Sequence, residues 1–202
     1  MSAPSFQNCL NWFSSDNLPK DDNHHLSQTR DLLHARLGQF VQELIGGFKI
    51  QEQDAFLLSA IIGEVGNNSF DHNLGQWKDI PGCWLEYAST DTYIDVYIAD
   101  RGQGIRASLQ HVKPDIESDN EALTIAFTKR LSGRAPEKRG NGLKFVRDII
   151  NDNPQRGLLC ASGSGIISFG GIKKELNDLL SHSSPIKGPG VFTFIRWKKV
   201  SS

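Results

Sequence analysis

A chain of 202 residues is long enough to form one domain with a sizeable hydrophobic core. Its formal net charge is −1, no apolar run reaches the length of a membrane span, and no basic-then-apolar leader is seen, which disfavours nucleic-acid, membrane and secretory roles. The cysteines Cys9, Cys83 and Cys160 lie far apart without metal-ligand spacing, so we expect reduced thiols in a cytoplasmic protein.

The first part of the chain, residues 1–49, is predicted to be an N-terminal arm followed by a helix. Residues 1–24 are rich in Ser, Asn and Asp and have few periodic apolar residues, which is typical of a loose arm. A broad apolar stripe predicts a helix over residues 27–45, and Gly46-Gly47 ends it. This helix packs either on the sheet of the domain or on a second copy of itself, which leaves a homodimer open.

The next element is a helix predicted over residues 51–72, where apolar residues recur at helical spacing. Glu64 and Asn68 are four residues apart, so both side chains lie on one face of this helix. An amide oxygen can ligand a hard cation, and a carboxylate beside it can hold or deprotonate a water. Asn67 is the alternative ligand, but it points about a quarter-turn away. On spacing alone, a Glu and an Asn four residues apart are also typical of an ordinary solvent-exposed helix face.

A β-hairpin that ends in a glycine turn follows. Residues 83–88 and 93–99 are predicted to be its strands, and Asp100 closes the second one. Gly102 and Gly104 come directly afterwards. Because glycine lets the backbone approach a ligand closely, this turn is a candidate binding segment.

A second glycine motif opens a later helix. Residues 139–142 read Arg-Gly-Asn-Gly and precede a helix that is predicted to end near Asn151, so N–H groups at its start can bind phosphate. The preceding residues 130–139 are basic, rich in small residues and poor in apolar anchors, which predicts a solvated mobile loop. The cations expected to meet phosphates are Lys129, Arg130, Arg134, Lys138 and Arg139.

The C-terminal part alternates between strands and turns. Strands are predicted over residues 157–162 and 165–169, and a last strand over residues 191–197 follows a Gly-Pro-Gly turn. Residues 173–183 are polar, and a short helix and a loop both remain open for them.

The three motifs occur in a defined order: an acid/amide helix, an aspartate with a Gly-x-Gly turn, and a Gly-x-Gly-Leu turn. In this order they resemble the GHKL superfamily of ATP-binding domains, which includes gyrase-type topoisomerases, heat-shock-ninety chaperones, histidine kinases and MutL proteins. The resemblance covers roughly residues 50–198 and implies a GHKL-type domain over residues 50–202. It implies the Bergerat fold, an α/β (α+β) two-layer sandwich with helices on one face of a mixed, mostly antiparallel sheet. Residues 130–139 would then form a lid over ATP.

The resemblance also implies roles for individual residues. The family's match to Glu64 activates the attacking water or a substrate hydroxyl, the match to Asn68 binds Mg²⁺, and the match to Asp100 accepts the adenine amino group. Many family members have a threonine where this chain has Val191; Thr193 faces the same side and either substitutes for it or is a plain core residue. The nucleotide-binding residues implied are Asn68, His72, Asp100, Gly102, Gly104, Ile105, Arg139, Gly140, Asn141, Gly142, Leu143 and Thr193.

His72, one turn after Asn68, makes the pattern most similar to the anti-sigma serine kinases. We therefore expect ATP and Mg²⁺ as ligands of a stand-alone ATPase or serine/threonine-type kinase with a regulatory partner protein. The alternative is a non-catalytic switch in which ATP creates a partner surface. An autophosphorylating histidine kinase is disfavoured because His34 lacks acidic neighbours, and a MutL-like machine because the net charge is not positive. Asp71 stands where many histidine kinases have a cation, so it must face away, pair with a lid cation or lie near the metal.

Overall fold

The computed structural model describes residues 4–16, 24–129, 141–181 and 186–199. The helices of these residues are α1 Pro4–Ser14, α2 Arg30–Gly46, α3 Glu52–Asp71, α4 Gly104–Gln110, α5 Asp119–Thr128, α6 Gly142–Asn151 and α7 Lys173–Ser181. The strands are β1 Leu26–Ser27, β2 Cys83–Ser89, β3 Tyr93–Asp100, β4 Arg156–Ser162, β5 Gly165–Gly170 and β6 Val191–Lys198. The central helix and the hairpin predicted from the sequence are confirmed, whereas α4 is a helix that the sequence pattern does not predict.

The strands of the described residues form one sheet in the order β1-β2-β3-β6-β4-β5. Each of their pairings is antiparallel, so the expectation of a mixed sheet is wrong, while the broader expectation of an α+β sandwich is confirmed. The last strand lies between β3 and β4. There Thr193 is the register partner of both Ile98 and Cys160, so the end of the chain completes the centre of the sheet.

The helices α2 to α6 cover one face of the sheet. Apolar side chains at helical spacing on α3, such as Leu58, Ile61 and Val65, pack towards strand residues such as Val96 and Ile98. The helix α2 lies against α3 and contributes a buried stripe to the same core: Leu33, Leu37, Phe40, Val41 and Leu44. Among the helices of the described ranges, none combines the length and the apolar character that crossing a membrane requires.

The opposite face is covered by α1 and α7, so the expectation of helices on one face only is wrong. Phe6, Leu10 and Phe13 of α1 and Leu176 of α7 belong to a second buried cluster against this face. The loose arm expected over residues 1–24 is wrong for the part that forms α1. Its apolar residues repeat at helical spacing, and burying that stripe against the sheet stabilises a helix too short to persist alone.

Candidate functional site

A cavity of about 480 Å³ opens beside the C-terminal half of α3, on the face of the sheet that α2 to α6 cover. The predicted site residues that line it are Glu64, Asn68, His72, Asp100, Gly104, Ile105, Asn141, Gly142, Leu143 and Thr193. The predicted Gly102 is not part of the wall. Arg139 and Gly140 lie outside the described residues, as does the loop predicted over residues 130–139. The structure therefore brings residues of all three motifs to one cavity.

Glu64 and the start of α6 approach each other closely in this cavity. Glu64 is exposed on α3, and a Cβ atom at Gly142 would overlap its Oε2 atom. Because Gly142 is the first residue of α6, a side chain there would displace the Glu64 carboxylate from the start of this helix. The glycine thus allows a carboxylate to lie beside the N-terminal N–H groups of a helix, where negative charge is favoured.

Asp100 is buried at the end of β3, with only 4% of its surface exposed. Its Oδ1 atom accepts hydrogen bonds from Asn73 Nδ2 at 3.1 Å and from the Gly102 N–H at 2.9 Å, and its Oδ2 atom accepts one from the Ser69 hydroxyl at 3.2 Å. Burial raises the pKa of the Asp100 carboxyl to about 6, while these hydrogen bonds and one from the Val191 N–H oppose the rise. The carboxylate is held in one orientation and changes charge near pH 6.

Ser69 and Asn73 are site residues that the sequence analysis misses. Val65, Ser69 and Asn73 follow one another at intervals of four residues. Two polar residues that continue the buried apolar face of a helix are therefore the signal that would have identified them. Asn73 Oδ1 also accepts a hydrogen bond from the Gln103 N–H at 3.1 Å. A Cβ atom at Gly102 would overlap the Asn73 side chain. Gly102 therefore makes room for the side chain of Asn73.

The turn that contains Gly104 is hydrogen-bonded to the end of β4, and through it to the residue before β6. Gly104 has a φ of 80°, a backbone conformation that favours glycine. The next N–H, that of Ile105, donates to Ser162 Oγ at 3.0 Å, and this hydroxyl donates to the Gly190 carbonyl at 3.1 Å. Ser162, at the end of β4, is a third residue that the sequence analysis misses.

Apolar side chains form much of the remaining wall. They are Val65, Ile98, Ala99, Ile105, Leu109, Ala126, Leu143, Cys160 and Val191. Thr193 is buried among them, and its hydroxyl donates to Cys160 Sγ at 3.6 Å. Burial raises the pKa of the Cys160 thiol to about 12, so the thiol stays protonated. Val191 and Thr193 both line the cavity, as their two-residue spacing on one strand predicts.

The helix α2 reaches the rim of the cavity through two polar contacts with α3. Arg30 Nη2 donates to Asp71 Oδ1, and His34 Nε2 lies 3.2 Å from Asn67 Oδ1. Arg30, Asn67 and Asp71 line the cavity. Asp71 therefore faces the cavity and pairs with Arg30 of α2. The side chain of Asn67 contacts His34 of the same helix.

His72 joins the end of α3 to the segment after β3. Its Nδ1 atom lies 3.0 Å from the Ser108 hydroxyl on α4, and its backbone carbonyl accepts a hydrogen bond from Gln103 Nε2 at 2.5 Å. These contacts position the imidazole in the cavity wall.

Comparison with known proteins gives this chain no assignment. No family model matches the sequence, and no curated protein matches it. In the ranges that the structure describes, no group of three or more His, Cys, Asp or Glu side chains is arranged to hold a metal ion. The family resemblance and the roles that it implies stay predictions.

Proposed function

We propose that the chain binds Mg-ATP in the cavity beside α3 and either hydrolyses it or transfers its γ-phosphate to a partner protein. The observation that carries this proposal is the convergence of motifs that are far apart in the sequence. Glu64 and Asn68, Asp100, and Gly142 all line the same cavity. Its volume of about 480 Å³ lies within the range of about 300–1,000 Å³ that is usual for small-molecule sites.

Asp100 supplies what recognition of an adenine requires. A buried acceptor in a mainly apolar wall selects a ligand that donates a hydrogen bond, and the amino group of adenine is such a donor. The hydroxyl of Ser69 can rotate, so an amino group can share Oδ2 with it or replace it. Asn73 and Gly102 meanwhile hold the carboxylate through Oδ1. The acceptor is therefore ordered before the ligand arrives.

The part of the cavity beside Glu64 and Gly142 suits phosphate groups. The first N–H groups of a helix have no partner within the helix, so those of α6 can donate to phosphate oxygens. Asn68 offers an amide oxygen one turn from Glu64, and Mg²⁺ needs few protein ligands because it keeps several waters. When bound there, Mg²⁺ would supply neutralisation of phosphate charge.

Glu64 is the residue that would act on the nucleophile. Its carboxylate lies against the start of α6, where the phosphates would be held. At hydrogen-bond distance it would orient a water, or a hydroxyl of a partner protein, and take its proton. Positioning and charge neutralisation supply the larger part of catalysis in phosphoryl transfer, so Glu64 is expected to affect turnover more than binding.

The proposal is tested by isothermal titration of the parent chain and of Asp100→Asn with Mg-ATP. The variant is expected to lose about 10- to 100-fold in affinity, because a charge-assisted hydrogen bond is worth roughly 1.5–3 kcal/mol. Asp91→Asn, in the exposed turn between β2 and β3, is the matched control and is expected to bind as the parent does. A parent that does not bind Mg-ATP would overturn the proposal, and equal binding by Asp100→Asn would overturn the adenine assignment.

A second titration tests the metal ligand. Asn68→Ala is expected to abolish the dependence of ATP affinity on Mg²⁺, because it removes the amide oxygen that would hold the ion. Asn67→Ala is its matched control, since this neighbouring side chain contacts His34 of α2. If Asn67→Ala removes the Mg²⁺ dependence and Asn68→Ala keeps it, the ligand is Asn67.

A further inference from the structure

Arg30, the first residue of α2, lies at the rim of the cavity and has no part in the chemistry described above. It lines the cavity together with Asp71, and its Nη2 atom donates to Asp71 Oδ1. The side chain of Arg30 is 44% exposed and that of Asp71 is 14% exposed. The contact thus joins a solvent-facing cation to an acid that points into the cavity.

Helix stability does not explain the position of Arg30. A cation at the start of a helix faces the positive end of the helix dipole, and an exposed ion pair adds little stability. The start of α2 is already capped, because the Thr29 hydroxyl accepts a hydrogen bond from the Leu32 N–H at 3.3 Å, and Asp31 supplies an acid in the first turn. An arginine that is mildly unfavourable for its own helix points to a contact elsewhere.

The charges of the cavity indicate what that contact is. Among the lining residues that the structure describes, the carboxylates are Glu64, Asp71 and Asp100, and Arg30 is the one arginine or lysine. Asp71 comes three residues after Asn68 and seven after Glu64, so it shares their face of α3. An acid on that face repels phosphate, whereas a guanidinium held against it offers paired N–H donors that match phosphate oxygens.

We propose that Arg30 recognises the terminal phosphate of a bound nucleoside triphosphate and makes the site prefer triphosphates to diphosphates. Asp71 pairs with the guanidinium before the ligand binds and competes with the phosphate for it afterwards. The antiparallel packing of α2 on α3, with His34 against Asn67 one turn further on, places the arginine there. This role rests on the proposed function. It adds that the terminal phosphate is the part of the ligand by which the site distinguishes a triphosphate from a diphosphate.

The test measures the affinities of Mg-ATP, Mg-ADP and adenosine for the parent, Arg30→Met and Asp71→Asn by isothermal titration. Arg30→Met is expected to lose about tenfold or more in ATP affinity, with changes below about threefold for ADP and adenosine. Asp71→Asn removes the competing acid and is expected to raise ATP affinity by about two- to fivefold. Arg147→Met removes an arginine of α6 that is not part of the cavity wall and is expected to keep the parent affinities.

Opposite signs for Arg30→Met and Asp71→Asn distinguish a phosphate contact from a structural ion pair, because both substitutions break the same pair. The role of Arg30 is overturned if both variants weaken all three ligands alike, or if Arg30→Met keeps the parent's ratio of ATP to ADP affinity. Arg30→Lys keeps the positive charge but lacks the paired N–H donors of the guanidinium. Its ATP affinity is expected to lie between those of the parent and Arg30→Met. This variant is a control for a folding defect in Arg30→Met. If the parent binds none of the ligands, both the proposed function and the role of Arg30 are overturned. If the parent binds ATP and Arg30→Met keeps the parent's ratio of ATP to ADP affinity, only the role of Arg30 is overturned.

Discussion

The two faces of the sheet bury different kinds of residue. On the side of α1 and α7 the cluster is rich in aromatic rings: Phe6, Trp12, Phe13, Trp84, Tyr97, Phe192 and Phe194. On the side of α2 to α6 the core is largely aliphatic, and buried polar groups surround the cavity: Ser69, Asn73, Asp100, Ser162 and Thr193. The same strands supply both faces, because successive side chains of a strand point to opposite sides.

Packing on the aromatic face is organised around Phe6. Its ring centroid lies 5.7 Å from that of Tyr97, 6.1 Å from that of Phe192 and 6.2 Å from that of Phe194. Rings at these distances contribute large buried areas and favourable edge contacts. On the cavity face, by contrast, Asp100 and Ser162 place polar groups at strand ends. One face thus chiefly stabilises the sheet, while the other contains the cavity that we propose as a ligand site.

Arg101 connects the two faces. It is fully buried, and its Nε and Nη2 atoms donate to the two carboxylate oxygens of Asp79 at 2.8 and 2.6 Å. Its Nη1 atom donates to the carbonyls of Trp12 and Phe13, near the end of α1, at 2.7 and 2.9 Å. Because Arg101 directly follows Asp100, the acid of the cavity and the cap of α1 belong to one turn.

The largest effect expected on the cavity face is at Glu64. Glu64→Ala is expected to lower ATP hydrolysis, or transfer to a partner, by about 10²–10⁴-fold while ATP affinity stays within a few-fold, because we propose that the carboxylate acts on the nucleophile. Phosphate release, radiolabel transfer and titration measure these quantities, and Glu52→Ala at the exposed start of α3 is the control. If the parent shows no turnover with any partner tested and Glu64→Ala retains the biological output, the ATP-gated switch replaces the enzyme.

A substitution at Arg101 should affect both faces at once. Arg101→Met is expected to lower the free energy of unfolding by about 3–5 kcal/mol, because buried carbonyls of α1 and the carboxylate of Asp79 lose their donors. It should also weaken ATP binding by the folded protein, since the Asp100 turn loses its anchor. Urea denaturation and titration check the two effects. A variant with weakened stability but parent affinity would show that the faces are independent.

The aromatic face should affect stability alone. Phe6→Ala is expected to lower the free energy of unfolding by about 3–5 kcal/mol, because it removes a buried ring and leaves a cavity. ATP affinity of the folded protein should not change. Phe56→Ala, at a position that is 55% exposed, is the control and should alter stability by less than about 0.5 kcal/mol. Loss of affinity in Phe6→Ala would contradict the division between the faces.

Asp100 should give the cavity face a pH dependence. Burial raises its pKa from 3.8 to about 6, so the folded state favours the protonated carboxyl. Its contribution to the free energy of unfolding is therefore fully present below about pH 4 and is lost as the pH rises through about 6. The free energy of unfolding is expected to differ by roughly 2–3 kcal/mol between these limits. ATP affinity should change in the opposite direction and fall below about pH 6, because binding needs the ionised acceptor.

Denaturation and ATP titration between about pH 4.5 and 7.5 measure both trends. Asp100→Asn is the control, since it cannot titrate and should lose both dependences. A parent whose ATP affinity is constant across this range would contradict the assignment of Asp100 as the acceptor.

Local patterns in the sequence were enough to predict the elements that have a long apolar periodicity or are bounded by turn residues. The helix α3 has several turns of apolar periodicity, and the strands β2 and β3 are bounded by turn residues, so neighbouring residues alone specify them. The helix α1 shows the limit of such patterns. Its stripe from Phe6 to Phe13 spans about two turns, and a helix this short is stabilised by the sheet face that it covers.

The sequence by itself also determined which residues could carry chemistry, because Glu64, Asn68, Asp100 and the glycine turns belong to short motifs. Only the tertiary structure decided which of them meet, and which other residues join them. The last strand enters between β3 and β4 and brings Thr193 to the cavity, while the packing of α2 on α3 brings Arg30 to its rim. Such contacts depend on strand order and helix register, and these are set by the burial of whole faces, which a local pattern of residues does not encode.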